Sequence, residues 1–556
     1  MKMKNIWIWS LALWMGACNF LDFDPNKEFI RDDFYKDATQ SEMALGALYA
    51  SLRDIYAVDL SVWINAGTDE GFHGQGNEAN DGVRFSQLTY NQNDVTTIRV
   101  WDRSYASINR VNDFLYNLER ADSISGLSQE AKRGMIAEAL AIRAVNYLNL
   151  VRMYEHIPLR LDPLVDIANH PEGVSMPNSP AADVYDQIVE DLTLAVEDLP
   201  TVATQYGRIG KFAAEGILVR AYLTMAGKRI DGGNIGVNTC LERAIYHADN
   251  VINGSSHNLL PEYEDIFWNQ IKGMDDDTEV MWEIVFQSDS DRDNGGYLGT
   301  RIGPTVPNTD IQVAATAWVN TTPFMDVVYD QVDEEVIDAR KEWNIVDWRA
   351  QYSNDLRRFV YGSVGDSYAW TPGKWRRVNK VPIYDEDGEV SGYELEMTES
   401  GFTRKHTTSF NFPVIRFADV LLMKAEALNQ LTGPSEEVFS LVDQIRFRAQ
   451  IGEMRAEMIE KDMGFDKESV LEMIQIERQR ELCFEGHRRF DLIRWGIYSE
   501  RMQELNNFME NDPSFPSNRQ QLKTPGNQIR EQHNVFPIHF REMQLNKEIV
   551  QHPLWN

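Results

Sequence analysis

The densest run of chemically capable side chains in this 556-residue chain is 477–496, where Glu, Arg, Cys, His, Asp and Trp crowd together. Glu485 and His487 are of the right types to act as a general acid/base pair. The run supplies no pocket and no nucleophile, so a packed helix with a charged face accounts for it better. Glu477 with Arg480, and Arg478 with Glu481, stand three apart. That spacing predicts surface ion pairs worth a few tenths of a kcal/mol each. Val470, Met473, Ile474 and Phe484 are expected on the buried side. Gly486 marks a kink or helix end, and Phe490, Ile493 and Trp495 anchor the last turn.

A second set of candidates lies in stretches rich in Gly, Asn, Asp and aromatics. In 59–99, Asp69, His73, Asn77 and Arg84 are of types that hydrogen-bond sugar hydroxyls, and Phe72 could stack on a sugar ring. The competing reading is turns that stabilise the loop. Tyr368 and Trp370 form another aromatic pair in a loop context. Asp289–Gly295 resembles the front of a calcium loop, but Asn294 stands where a Gly is needed and Thr300 where a bidentate Glu is needed. No cofactor is expected, and calcium at this loop is the single ion with any support. His-Glu-x-x-His, paired-Cys, Gly-x-Ser-x-Gly and phosphate-cradling patterns are all missing from the sequence.

These side chains need a scaffold, and helical periodicity supplies it. Ile136, Leu140, Ala144, Tyr147, Val151 and Tyr154 form one stripe, and Val184, Ile188, Leu192, Ala195 and Leu199 another. Ala214, Leu218, Ala221 and Met225 form a third, and Val414, Ala418, Leu421, Ala425 and Leu428 a fourth. Residues 101–119, 240–253 and 435–451 read as further helices. The pairs 101–119 with 130–155, 181–199 with 208–227, and 413–431 with 435–451 look like degenerate tetratricopeptide units. The expected fold is therefore mainly α, a scaffold of helical hairpins over 100–255 and 411–500. Long loops and a few short strands decorate it, with a strand at Glu279–Gln287. The aperiodic stretches 59–99 and 287–410 are the expected ligand-binding insertions, since binding residues are often mounted on loops held by a rigid body.

The formal net charge of -32 argues against nucleic acid and against anionic lipid as partners. At the N-terminus, Lys2 and Lys4 precede an apolar run from Ile6 to Met15, then Gly16, Ala17 and Cys18. This layout predicts a signal peptide over 1–17, with Cys18 as an acylated first residue and 18–556 as a single mature domain. The remaining thiols, Cys240 and Cys483, are expected buried and free.

The 477–496 run, together with 101–112, 138–154, 412–427 and 445–449, resembles the SusD/RagB family of Bacteroidetes surface lipoproteins. Asn534–Ile538 and Gln551–Asn556 resemble its closing segment, expected to dock on the body. The resemblance implies a protein without enzymatic activity, lipid-anchored on the outer face of the outer membrane. It would capture oligosaccharide and deliver it to a SusC-like, TonB-dependent β-barrel transporter. It also implies that Thr68–Glu70 lies near the binding face and that Tyr297, Trp318 and Asn320 contact ligand. Two alternatives remain: the same role with peptide cargo, or a glycoside hydrolase using two carboxylates such as Asp69 and a distant Glu.

Overall fold

The computed structural model describes residues 35–74, 81–121, 123–164, 174–288, 293–309, 314–330, 337–398 and 407–556. The signal segment with Cys18, and residue Asn77, lie outside these, as do 289–292 of the calcium-like loop.

Six helices follow one another through the first half: α1 (Ala38–Tyr56), α2 (Val95–Arg120), α3 (Gln129–Tyr154), α4 (Ala181–Asp198), α5 (Lys211–Met225) and α6 (Val237–Gly254). Each packs on the next. α6 then meets α7 (Phe417–Thr432), which also holds α8 (Glu436–Arg448) and α9 (Lys467–Leu482); α10 (Arg488–Trp495) follows. The three hairpin pairs expected from periodicity are all in contact. The side chains of Asp37 and Ser128 start α1 and α3 by accepting the backbone N–H of Gln40 and Ala131, satisfying donors that no helix can satisfy itself. α3 is the centre of the body, buried at every residue from Ala137 to Val151. Its alanines let neighbours approach closely, and its buried charge, Arg143, is met by both carboxylate oxygens of Asp191 on α4 at 2.8 and 2.7 Å.

Further helices, among them Tyr263–Lys272 and Tyr498–Asn511, flank this body, and the longer of the short strands are β1 (Gly71–His73), β2 (Val280–Ile284), β3 (Val319–Thr321), β4 (Trp348–Ser353), β5 (Arg358–Ser363), β6 (Val378–Tyr384), β7 (Val390–Met397) and β8 (Phe412–Arg416). Two sequence expectations need correction. The stripe read as opening a helix at 413 begins as β8, which pairs antiparallel with β2 from Phe412↔Ile284 to Arg416↔Val280. The β-branched Val414 and Ile415 are drawn into this sheet before α7 starts. And 287–410 is not all loop: β4 to β7 form a four-stranded antiparallel sheet, ordered β6-β7-β5-β4.

The closing segment docks as expected. Phe536 donates its backbone N–H to the Met153 carbonyl (2.7 Å) and stacks on Phe85, while Trp555 Nε1 donates to the Val535 carbonyl (3.1 Å). Cys240 and Cys483 are free and buried.

Candidate ligand-binding surface

The 477–496 run is where the sequence and the structure part most sharply. Its charges are not on the surface: Glu477, Arg478, Arg480 and Glu481 are all buried. Six cations (Arg340, Lys374, Arg416, Arg446, Arg448 and Arg480) interleave there with six carboxylates (Glu279, Asp338, Glu457, Glu477, Glu481 and Glu485). Arg416 alone reaches Glu279 (2.6 Å), Glu481 (3.1 Å) and Glu485 (2.8 Å). Charges of one sign surrounded by the other repay the cost of leaving water, which an isolated i,i+3 pair would not. The expected apolar side is right: Val470, Met473, Ile474 and Phe484 are buried. Gly486 marks the kink between α9, which stops at Leu482, and α10: it sits at φ +78, and a Cβ there would stand 2.9 Å from the Leu60 carbonyl.

Glu485 and His487 do not form an acid/base pair. Arg416 and Lys374 hold the Glu485 carboxyl below its ordinary range against its burial. Burial, with the nearby Arg220, pushes His487 down to about 3, leaving the imidazole neutral. Both line a crevice with Arg152, Arg220 and Phe490 that holds only about 20 Å³, room for a water and not for a substrate.

Asp69, expected at the binding face, is fully buried. Its carboxylate takes a two-pronged pairing from Arg488 (2.9 and 2.6 Å) and a third bond from Gln479 Nε2 (3.2 Å). Its neighbour Glu70 is pushed up to about 8 by burial. Arg84 Nε donates to Asp94 at 2.6 Å, so its charge is matched within the fold. Phe72 is buried in the core. Tyr368 is buried, with its hydroxyl on Asp512 (2.7 Å).

The remaining candidates converge. His73, Trp63, Trp318 and Tyr297 form a column of near-parallel rings. His73 lies 5.3 Å from Trp63 at 13°, Trp63 4.9 Å from Trp318 at 15°, and Trp318 6.5 Å from Tyr297 at 15°. His73 and Trp63 are buried; Trp318 and Tyr297 are half-buried. The backbone builds this arrangement. β1 pairs antiparallel with β3, with His73↔Val319 and Phe72↔Asn320, which sets His73 beside the residue preceding β3. Tyr297 is tied to the end of α1 through its N–H to the Ala57 carbonyl (3.0 Å), and Trp318 through its N–H to the Arg301 carbonyl (2.7 Å). The short helix Asp81–Ser86 closes over Trp63 at Gly82, where a Cβ would fall 2.1 Å from the indole.

Polar groups rim the exposed rings. The Arg301 guanidinium lies over Trp318, 4.0 Å from the ring centroid, and 5.8 Å from that of Tyr297. Its Nη1 donates to Thr316 Oγ1 at 2.6 Å, and burial lowers its pKa. Asn320, expected to contact ligand, is itself buried; its Nδ2 donates to the Trp370 carbonyl (3.1 Å), which brings half-buried Trp370 to the same edge. Rigid aromatic surface beside fixed donors suits a ligand with alternating C–H faces and hydroxyls. Tyr297, Trp318, Asn320, Trp370 and His73 are thus together; Asp69 and Arg84 are spent elsewhere. Trp63, Arg301 and Thr316 were not singled out from sequence. Trp63 stood among the scattered aromatics of 59–99, and Arg301 follows Tyr297 by four, but neither spacing carries a signal by itself.

For a metal ion, Glu155, His156 and His552 are the candidate group among the described residues, with ligand atoms within 4.8 Å of one another. Arg229 already pairs with Glu155, and His552 Nδ1 accepts the Leu554 N–H (3.3 Å), which puts the His552 ring proton on the nitrogen that faces Glu155. That arrangement suits a structural pairing of the C-terminal segment with the end of α3.

Comparison with known proteins follows the same lines. A family model described as the SusD family matches residues 278–555, and a second, described as starch-binding and associating with the outer membrane, matches 19–223. A SusD-like protein, P25, of Formosa agariphila is 25% identical, with 99% of this chain and 98% of that one covered. A SusD-like protein of Bacteroides ovatus is 23% identical over 90% of this chain and 83% of that one. Among solved structures, a SusD homolog from Bacteroides thetaiotaomicron superimposes with a TM-score of 0.80 at 25% identity, covering 95% of this chain and 99% of the other. A laminarin-binding SusD-like protein does so with a TM-score of 0.67 at 23% identity, covering 93% and 100%.

Proposed function

The chain belongs to the SusD/RagB family, and from that premise we propose that it is a cell-surface glycan-binding lipoprotein. In this reading it captures oligosaccharide at the Tyr297–Trp318 rings and hands it to a SusC-like, TonB-dependent β-barrel in the outer membrane. The observation that carries the proposal is the ring column itself: two half-buried aromatics on a buried, stacked support, beside the half-exposed Arg301 and Thr316. Because the rings are held before any ligand arrives, binding need not repay their ordering. One protein of the same fold is described as laminarin-binding, which agrees with sugar as the cargo class.

Capture and release need no bond to break. The carboxylate that a hydrolytic pair would draw on, Asp69, is locked to Arg488 inside the protein. Peptide cargo would favour an enclosed cavity lined by backbone groups, whereas Tyr297, Trp318 and Trp370 are open to solvent on one side. Among the described residues no helix is long and apolar enough to cross a membrane. This reading assigns attachment to an acylated Cys18, on the small-residue-then-cysteine layout of Gly16, Ala17 and Cys18.

The test is retention of the mature chain in gels cast with a panel of neutral and acidic polysaccharides, with reducing ends measured in parallel. Retention without new reducing ends supports the proposal, provided Trp318→Ala abolishes it. Release of sugar, or retention untouched by that substitution, overturns it.

A further inference from the structure

The proposed site contains an unmatched cation. In the ionic core every arginine meets a carboxylate. Arg152, Arg376 and Arg489 do not, but they spend donors on Leu148 and Asn149, on the Gly373 and Trp343 carbonyls, and on Tyr90 and the His533 carbonyl. Arg301 differs. It is half-exposed at the rings, its one side-chain bond goes to Thr316, and among the described residues its guanidinium has no carboxylate partner. Its Nε is buried without an acceptor, as are Nε and Nη1 of Arg489 and Nε of Arg448, so what sets Arg301 apart is its half-exposed place beside the rings.

Two features make this informative. First, the chain carries a formal charge of -32, with 86 acidic residues against 54 basic ones, yet no carboxylate among the described residues meets the guanidinium that lies over Trp318. Second, the guanidinium is fixed: its backbone carbonyl is held by the N–H groups of Trp318 (2.7 Å) and Val319 (3.2 Å), Thr316 orients one end, and the indole supports one face. With Nε buried and one Nη1 hydrogen on Thr316, the donors left over on Nη1 and Nη2 suit an anionic oxygen of a carboxylate or a sulfate.

We propose that the cargo is an acidic oligosaccharide, and that Arg301 pairs with a carboxylate or sulfate group on the sugar ring bound beside Tyr297 and Trp318. This rests on the glycan-binding reading above and narrows it. The overall negative charge repels polyanions at long range, so capture of an acidic glycan depends on this local contact rather than on general attraction.

The test is affinity electrophoresis of the mature chain, with isothermal titration on the ligands retained. The probes are polygalacturonate and alginate for carboxylates, dextran sulfate and carrageenan for sulfates, and laminarin and starch as neutral glycans. Wild type should bind one acidic class at least tenfold more tightly than the neutral ones, and which class it is separates uronate from sulfate. Arg301→Gln should lose tenfold or more on that ligand, Arg301→Lys should keep part of it, and both should unfold at the wild-type denaturant midpoint. Preference for neutral glycans, or an Arg301→Gln variant that binds as wild type does, overturns this proposal and leaves glycan capture standing. Equal loss on acidic and neutral glycans makes Arg301 a mere support for Trp318 and also overturns it. Retention by none of the six removes both readings.

Discussion

Arg416 and Arg301 show what two regions of this molecule do with the same side chain. In the ionic core, Arg416 is surrounded by Glu279, Glu481 and Glu485, all buried. At the ring column, Arg301 rests on an indole, holds one threonine hydroxyl and meets no acid among the described residues. The first region is complete: each charge is answered from within the chain, and the reward is a fixed fold. The second is incomplete on one side, and that deficit is what a ligand can fill. Residue type therefore says little about role here. Whether the complement is internal says much more.

The largest effect that would sharpen this contrast is in the core. Arg416→Met leaves three buried carboxylates without their central cation, and loss of one member of a buried pair costs about 3–5 kcal/mol. The denaturant midpoint should fall accordingly, while the remaining folded protein still binds glycan. A near-neutral substitution would mean that the network is not the structural element described.

Next in size are the rings. Trp318→Ala should cost about 2 kcal/mol or more of binding, roughly thirtyfold, as anchors at the centre of a contact do. Because Trp318 is half-exposed, the midpoint should move far less than for Arg416→Met. Comparable losses of stability and binding would erase the distinction between the two regions.

Acid should also separate them. The folded pKa of His487 lies at about 3, well below its ordinary 6.5. Between those values the unfolded chain takes up a proton that the folded protein refuses, so stability is full above 6.5 and is lost as the pH falls toward 3. From pH 7 to 5 this one group removes about 2 kcal/mol, at about 1.4 kcal/mol per unit. His487→Gln should flatten the midpoint over that interval by a similar amount; an unchanged slope would place the acid sensitivity elsewhere.

The smallest effect is expected at Arg84. Its charge is consumed by Asp94, so Arg84→Ala should leave glycan affinity within twofold of wild type in the same titration. A large loss would move the binding surface toward the helix Asp81–Ser86.

The helices were legible in the sequence because their apolar stripes are local: the spacing in 130–155 and 181–199 is enough to place α3 and α4 nearly to the residue. The core charges were not, because a run of Glu and Arg three apart has the pattern of a solvated helix face. What buries it comes from Glu279, Asp338 and Lys374, far off in the chain. Asp69 misleads for the same reason, its partner Arg488 lying 419 residues away. The sheet β4–β7 was hidden by glycines and acidic residues that interrupt the alternation of strands. At the rings, the resemblance brought Tyr297, Trp318 and Asn320 forward, but the support from Trp63 and the unmatched Arg301 exist only once β1 and β3 pair.

Everything proposed for this molecule depends on sugar binding at the Tyr297–Trp318 rings. The most direct test is a crystal structure of the mature chain with a retained oligosaccharide. A sugar ring should lie in van der Waals contact with Tyr297 or Trp318 and be hydrogen-bonded to Arg301 or Thr316. An oligosaccharide bound elsewhere, with these rings bare, would contradict it.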